Sequence, residues 1–182
     1  MQPVQTADRV RLAREEDAAC LVDVERSAAQ SFRTVRGLAW VADGAVLGEA
    51  VHLSRILAST CWVVVDDRDA PVGFLSAEIA AERELHIHEM SVAPAFQGRG
   101  AGRALLKATI EWAVAHDFAA LTLTTFRDVP WNAPFYSRLG FEALSASSLS
   151  ARLATLLQRE VEDGFAEGSR CAMRLSLRNR SP

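Results

Sequence analysis

HIHEMSVAPAFQGRGAG, running from His86 to Gly102, decides how the rest of this chain is read. Its first half places two histidines and a glutamate among apolar residues, and its second half spaces three glycines by two. Leu85 to Val92 has the composition of a strand, stopped by Pro94. Along a strand successive side chains alternate, so His86, His88, Met90 and Val92 share one face and Ile87, Glu89 and Ser91 the other. Gly102 to His116 follows as an amphipathic helix, with Leu105, Leu106, Thr109, Ile110 and Ala113 on one face. A glycine turn between a strand and a helix N-terminus offers unpaired N–H groups and the positive end of a dipole, which suits a pyrophosphate. Arg99 and Arg103 add charge there. No Lys-Ser or Lys-Thr follows the last glycine, so this is not a Walker loop. Arg103 stands three residues past Gly100, so the dinucleotide fingerprint G-x-G-x-x-G is absent. The competing reading is a plain strand-to-helix turn.

Working outward, Val10 to Arg14 reads as a first strand. Asp17 stands where an N-cap would begin a helix reaching about Ala29, with Ala18, Leu21, Val22 and Glu25 at helical spacing. Ser31 to Gly44 is a loop with a helical turn, and Leu47 to Leu57 a second helix. Cys61 to Asp66 and Val72 to Ile79 form an antiparallel pair across the turn sequence DDRDAP. Beyond the central helix come a strand at Leu121 to Phe126 and a helix of about two turns between Asn132 and Leu139, ended by Gly140 as a left-handed cap. FEAL, a helix from Leu149 to Asp163, and a last strand from Cys171 to Leu177 complete the order, with only the final residues frayed. This order gives an α/β fold of the α+β type: one mixed sheet with helices on both faces. Leu85 to Phe126 is a right-handed parallel crossover.

The 182 residues suit a single domain, 1–182. A hydrophobic fraction of 49% against 24% charged is globular, and the net charge of −3 with no basic run argues against nucleic acid. Met1 to Arg11 lacks the pattern of a signal peptide, and no apolar run is long enough for a membrane span. Three scattered cysteines, Cys20, Cys61 and Cys171, form no disulfide scaffold and no metal site. A reducing cytosol follows as the expected compartment.

Gln97, Gly100 and Gly102 make a Q-x-x-G-x-G pattern that resembles the acyl-CoA motif of the GNAT acetyltransferases. The resemblance runs from about Val10 to Leu177 and is sharpest over His86 to Leu106 and Asn132 to Phe141. It implies the GNAT acyl-CoA N-acyltransferase fold and acetyl-CoA as cosubstrate, with no metal. By that likeness Glu89, Met90, Ser91 and Val92 line the pantetheine arm, and the Val92 N–H is an oxyanion donor. The N–H groups of Gly98, Arg99, Gly100, Ala101, Gly102 and Arg103 hold the pyrophosphate. HIHEMSV also resembles a strand of the arylalkylamine N-acetyltransferases, in which two histidines one residue apart face the amine; His86 and His88 match them. NAPFYSRLGF resembles the family's tyrosine-bearing helix, and Tyr136, the chain's single tyrosine, falls on the general-acid position. The likeness is local, so an arylalkylamine substrate does not follow.

Acetyl transfer to an amine needs a base for the ammonium proton and an acid for the departing thiolate. His86 and His88 lie on one face, and histidine suits neutral pH; the alternative is a pair of satisfied core or surface histidines. Glu89 is the rival base, or a solvated or salt-bridged carboxylate. Tyr136 is the general acid or a core ring. Asn132 either caps its helix or bonds the cofactor arm. Trp131 and Phe135 line the acyl pocket or belong to the core. Ser145 to Gly168 departs from the family's hairpin; its acidic end, Glu160, Glu162, Asp163 and Glu167, reads as a solvated face, the alternatives being an acceptor cleft or a homodimer contact. The expected function is N-acetyl transfer from acetyl-CoA to a primary amine by direct attack, the acceptor being a small molecule or, as the alternative, a peptide N-terminus or lysine. The alternatives are a non-catalytic acyl-CoA-binding module and, more weakly, a nucleotide binder.

Overall fold

A computed structural model describes residues 9–80 and 83–178. The N-terminal stretch read for a leader overlaps residues 1–8, and the expected frayed end falls on 179–182; both lie outside the described residues. Among the described residues seven strands form one mixed sheet in the order β1-β2-β3-β4-β5-β7-β6, with β4 beside β5 in parallel and the other registered pairs antiparallel. The mixed sheet with intervening helices agrees with the sequence reading. The chain forms two compact units, residues 1–78 with 88–112, and 79–87 with 113–182.

The first unit carries β1 (Arg9–Leu12), α1 (Ala18–Ala29), α2 (Glu49–Leu57), β2 (Cys61–Val65) and most of β3 (Pro71–Ala80). It also holds the later part of β4 (Glu84–Val92) and most of α3 (Ala101–Ala115). All five residues of β2 are buried, which is why CWVVV shows no polar alternation. Its core packs Ala18, Leu21, Val24 and Ile56 from the helices on Val63, Val65 and Phe74 from the strands. Val24 rather than Val22 completes the buried stripe of α1. The loop before α2 holds two short 3-10 turns, Gln30–Thr34 and Ala39–Asp43. Asp17 precedes α1 but makes no cap bond with its side chain. Its carboxylate accepts from the Arg14 N–H at 2.8 Å and pairs with Arg11 at 2.7 Å. Arg11 donates to both carboxylate oxygens, and this two-point charge pairing holds the side chain away from the helix N–H groups.

In the second unit β5 (Ala120–Phe126) and β7 (Arg170–Ser176) pair over seven residues, and β6 (Glu142–Ala143) adds a short edge. α4 (Ala133–Ser137) is a single turn rather than two, because the chain winds out after Ser137 and turns at Gly140, whose φ is +93°. α5 (Ala151–Glu162) starts at Ser150, whose hydroxyl accepts from the Leu153 N–H. Glu162, Asp163 and Glu167 are exposed as expected, whereas Glu160 is not a solvated carboxylate. It takes Arg170 at 2.7 Å and the Thr124 hydroxyl, and the Arg170 guanidinium lies over the rings of both Phe126 and Phe165, 4.7 and 4.9 Å from their centroids. The aromatic pair shields this ion pair from water, so burial with a partner replaces solvation.

Candidate active site

The glycine turn occupies Gln97 to Gly100 and opens directly into the fifteen-residue α3. Gly98 and Gly100 take φ of +73° and +92°, the region glycine enters without strain. No atom lies within 4 Å of where a Cβ would stand at either, so their outer side is open. Ala101 is buried at the first turn of α3, while Arg99 and Arg103 are exposed beside it. Gly102 is half-buried in that turn. Gln97 braces the turn by donating from Nε2 to the Val92 carbonyl at 2.8 Å. An open turn with two left-handed glycines, a helix N-terminus and flanking guanidinium groups fits a diphosphate.

Upstream, the parallel register of β4 with β5 runs from Glu84↔Ala120 to Ile87↔Leu123, and β4 continues beyond it to Val92. The Ser91 hydroxyl donates to Glu89 at 2.8 Å, which ties down the carboxylate on its face of the strand. Met90 and Val92 are half-buried. Gly73 on β3 lets this end of β4 come close: a Cβ there would stand 3.0 Å from the Ser91 carbonyl oxygen, 3.0 Å from Val92 Cγ2 and 2.9 Å from Val64 Cγ1.

The two histidines have different surroundings. His86 is 2% exposed, with Nδ1 at 2.9 Å from the Thr122 hydroxyl, its register partner on β5. Arg152 of α5 donates to the same hydroxyl at 3.1 Å, and Glu84 receives both Arg152, at 3.6 Å, and Arg174. His88 is at the surface, its Nε2 3.2 Å from Glu78 Oε1. Arg55 of α2 holds the other Glu78 oxygen at 2.7 Å. Burial alone would push the Glu78 carboxyl up, but the Arg55 hydrogen bond and the charge of His88 hold it below the usual carboxylate range.

Tyr136 is buried on α4, edge-on to Phe135 at 5.3 Å and Phe141 at 5.5 Å. Asn132 does not cap α4 with its side chain; its Oδ1 instead accepts from the Thr125 hydroxyl at 3.0 Å and the Phe126 N–H at 3.4 Å. Its backbone carbonyl takes the first helical N–H groups, so the amide side chain is left to join α4 to the end of β5. Trp131 is exposed and Phe135 half-buried. Glu78, Arg55, Thr122 and Arg152 were missed by the reading of the sequence. A hairpin pairs residues at a constant sum of numbers, so Glu78 could have been placed beside the histidine strand; the two arginines, on distant helices, carried no such signal.

The model of the acetyltransferase (GNAT) family matches residues 22–141. The chain belongs to the GNAT acetyltransferase family. An uncharacterized N-acetyltransferase of Methanocaldococcus jannaschii is 32% identical over 96 residues. That match covers 44% of this chain and 42% of the relative, so the chain spans under half the length of the curated relative it matches. A GNAT-family acetyltransferase of Staphylococcus aureus Mu50 has the same fold at a TM-score of 0.68 and 14% identity, covering 93% of this chain and 99% of that one. The PaiA N-acetyltransferase of Thermoplasma acidophilum, solved with coenzyme A, gives 0.66 at 15% identity over 92% and 98%. Among the described residues no three side chains group as metal ligands, and no helix is long and apolar enough to cross a membrane.

Proposed function

We propose that this chain works as a single catalytic domain, 1–182, that moves the acetyl group of acetyl-CoA to a small primary amine in the cytosol. The observation that carries the reading is the open turn at Gly98 and Gly100 leading into α3, preceded by a strand that outruns its parallel ladder. Acetyl-CoA supplies an activated thioester. The N–H groups from Gly98 to Arg103 hold its pyrophosphate, and Glu89, Met90, Ser91 and Val92 follow its arm, with the Val92 N–H steadying the thioester oxygen. Asn132 holds the end of β5 in place. The ammonium proton passes to the histidine face of β4 or to its rival Glu89, the amine attacks the acetyl carbon directly, and Tyr136 protonates the departing thiolate.

Calorimetry with acetyl-CoA tests the cofactor site. At Gly100 there is room for a side chain but φ is +92°, so Gly100→Ala strains the turn by roughly 1 kcal/mol and reorients its N–H groups. Acetyl-CoA affinity should fall at least tenfold while the protein stays folded. Unchanged affinity in a folded variant would place the pyrophosphate elsewhere. A screen of primary amines followed by CoA release then identifies the acceptor.

A further inference from the structure

Three side chains of β4, His86, His88 and Glu89, compete for the ammonium proton. We infer that His88 receives it, and that Glu78, held by Arg55, is the positioning residue that prepares His88 for the charge. This assignment rests on the acetyltransferase reading and goes beyond it, because neither Glu78 nor Arg55 belongs to the family motifs in this chain.

The two histidines differ in what surrounds them. The hydroxyl beside His86 already accepts from Arg152, since a guanidinium only donates. The Thr122 hydrogen is then available to His86 Nδ1, which gives this ring a partner in its neutral form. Around that hydroxyl two guanidinium groups, Arg152 and Arg174, meet the one carboxylate of Glu84, so a further positive charge on His86 is unfavourable, and at 2% exposure the ring has little access to an incoming amine. His88 has the opposite setting. Its Nε2 faces a carboxylate oxygen at 3.2 Å, so a proton arriving on the ring is met by a negative charge. Arg55 takes Oε2 at 2.7 Å, which fixes the Glu78 side chain with Oε1 towards His88. About a third of the Glu78 side chain and 28% of that of His88 are exposed, so the pair is open to solvent and substrate.

In the step itself an N–H bond of the ammonium breaks and its electron pair stays on nitrogen. The proton forms an N–H bond on the His88 ring, directly or through one water, and the resulting imidazolium pairs with Glu78. Among the described contacts His88 meets Glu78 on β3, which carries Arg55 of α2; along β4 itself, His86 stands on the same face and Glu89 on the other.

The test follows CoA release at saturating acetyl-CoA with propylamine as acceptor, from acid to neutral pH. Ratios of variant to wild-type rate cancel the amine's own ionisation. Glu78→Gln should move the acidic limb of the profile to lower pH and cut the neutral rate about tenfold, with unchanged acetyl-CoA affinity. Glu78→Asp, which keeps the charge, should restore part of the shift. His88→Gln should abolish the limb, and His86→Gln should keep it. A wild-type limb in Glu78→Gln, or loss of the limb in His86→Gln alone, overturns the assignment while leaving the acetyltransferase reading intact. If wild-type protein releases no CoA to propylamine or to any other primary amine, the acetyltransferase reading fails and the assignment with it. Should His88→Gln not fold, the Gln and Asp variants of Glu78 still decide.

Discussion

Gly73→Ala should separate the positioning of β4 from cofactor binding. The added methyl would meet three atoms at 2.9 to 3.0 Å, nearer than carbon–carbon or carbon–oxygen contact allows, and one of them is the backbone carbonyl of Ser91. Val64 and Val92 can turn a side chain, but the Ser91 carbonyl can retreat only if the strand moves. Overpacking of this kind costs about 1–3 kcal/mol. For a chain of this length that lowers Tm by roughly 2–12 °C. The strand that moves carries the Val92 N–H, the proposed oxyanion donor. Oxyanion geometry is sensitive to tenths of an ångström, and loss of one donor costs about 10²–10³ in kcat. We expect kcat for acetyl transfer to fall by about 10²-fold, with the binding of CoA lacking an acetyl group changed much less, since the glycine turn lies beyond the clash. Differential scanning calorimetry gives Tm, and stopped-time CoA release gives kcat. A variant with a lowered Tm and wild-type kcat would reduce Gly73 to a packing residue. Wild-type values of both would refute the close approach itself.

Tyr136→Phe removes only the phenolic hydroxyl from a ring packed on Phe135 and Phe141, so kcat should fall about 10²-fold with acetyl-CoA affinity and Tm nearly unchanged; equal losses of rate and stability would make it a core residue. Glu160→Gln leaves the Arg170 guanidinium on two rings without its counter-charge, and urea unfolding should show a loss of about 1–3 kcal/mol; a neutral result would mean the pair is screened like a surface bridge. The Glu78 carboxyl is held low in the folded protein, so the stability it contributes is present above the ordinary carboxylate range and is lost as pH falls through the folded value. Acid unfolding of Glu78→Gln should accordingly lose less stability than wild type below about pH 4.

Local chemistry made much of this protein legible in its sequence. Glycine spacing, a strand ending at Pro94 and the periodicity of Leu105, Leu106 and Thr109 each act over a few residues, so the turn, the central helix and the succession of elements along the chain could be read directly. The same locality put His86 and His88 on one face of one strand. What separated them was contact across long stretches of sequence. Thr122 meets His86 from 36 residues away and itself accepts from Arg152, while Glu78 on β3, held by Arg55 of α2, meets His88. Asp17 and Glu160 illustrate the same limit: each reads locally as a cap or a solvated charge, and each is claimed by an arginine brought in by the fold. Charge pairing depends on which side chains meet in space, and the meeting is set by the packing of helices on the sheet. The sequence by itself thus determined which titratable side chains share one strand face, and the tertiary structure decided which of them is buried beside a hydroxyl and which is paired with a carboxylate at the surface, because those partners come from distant parts of the chain.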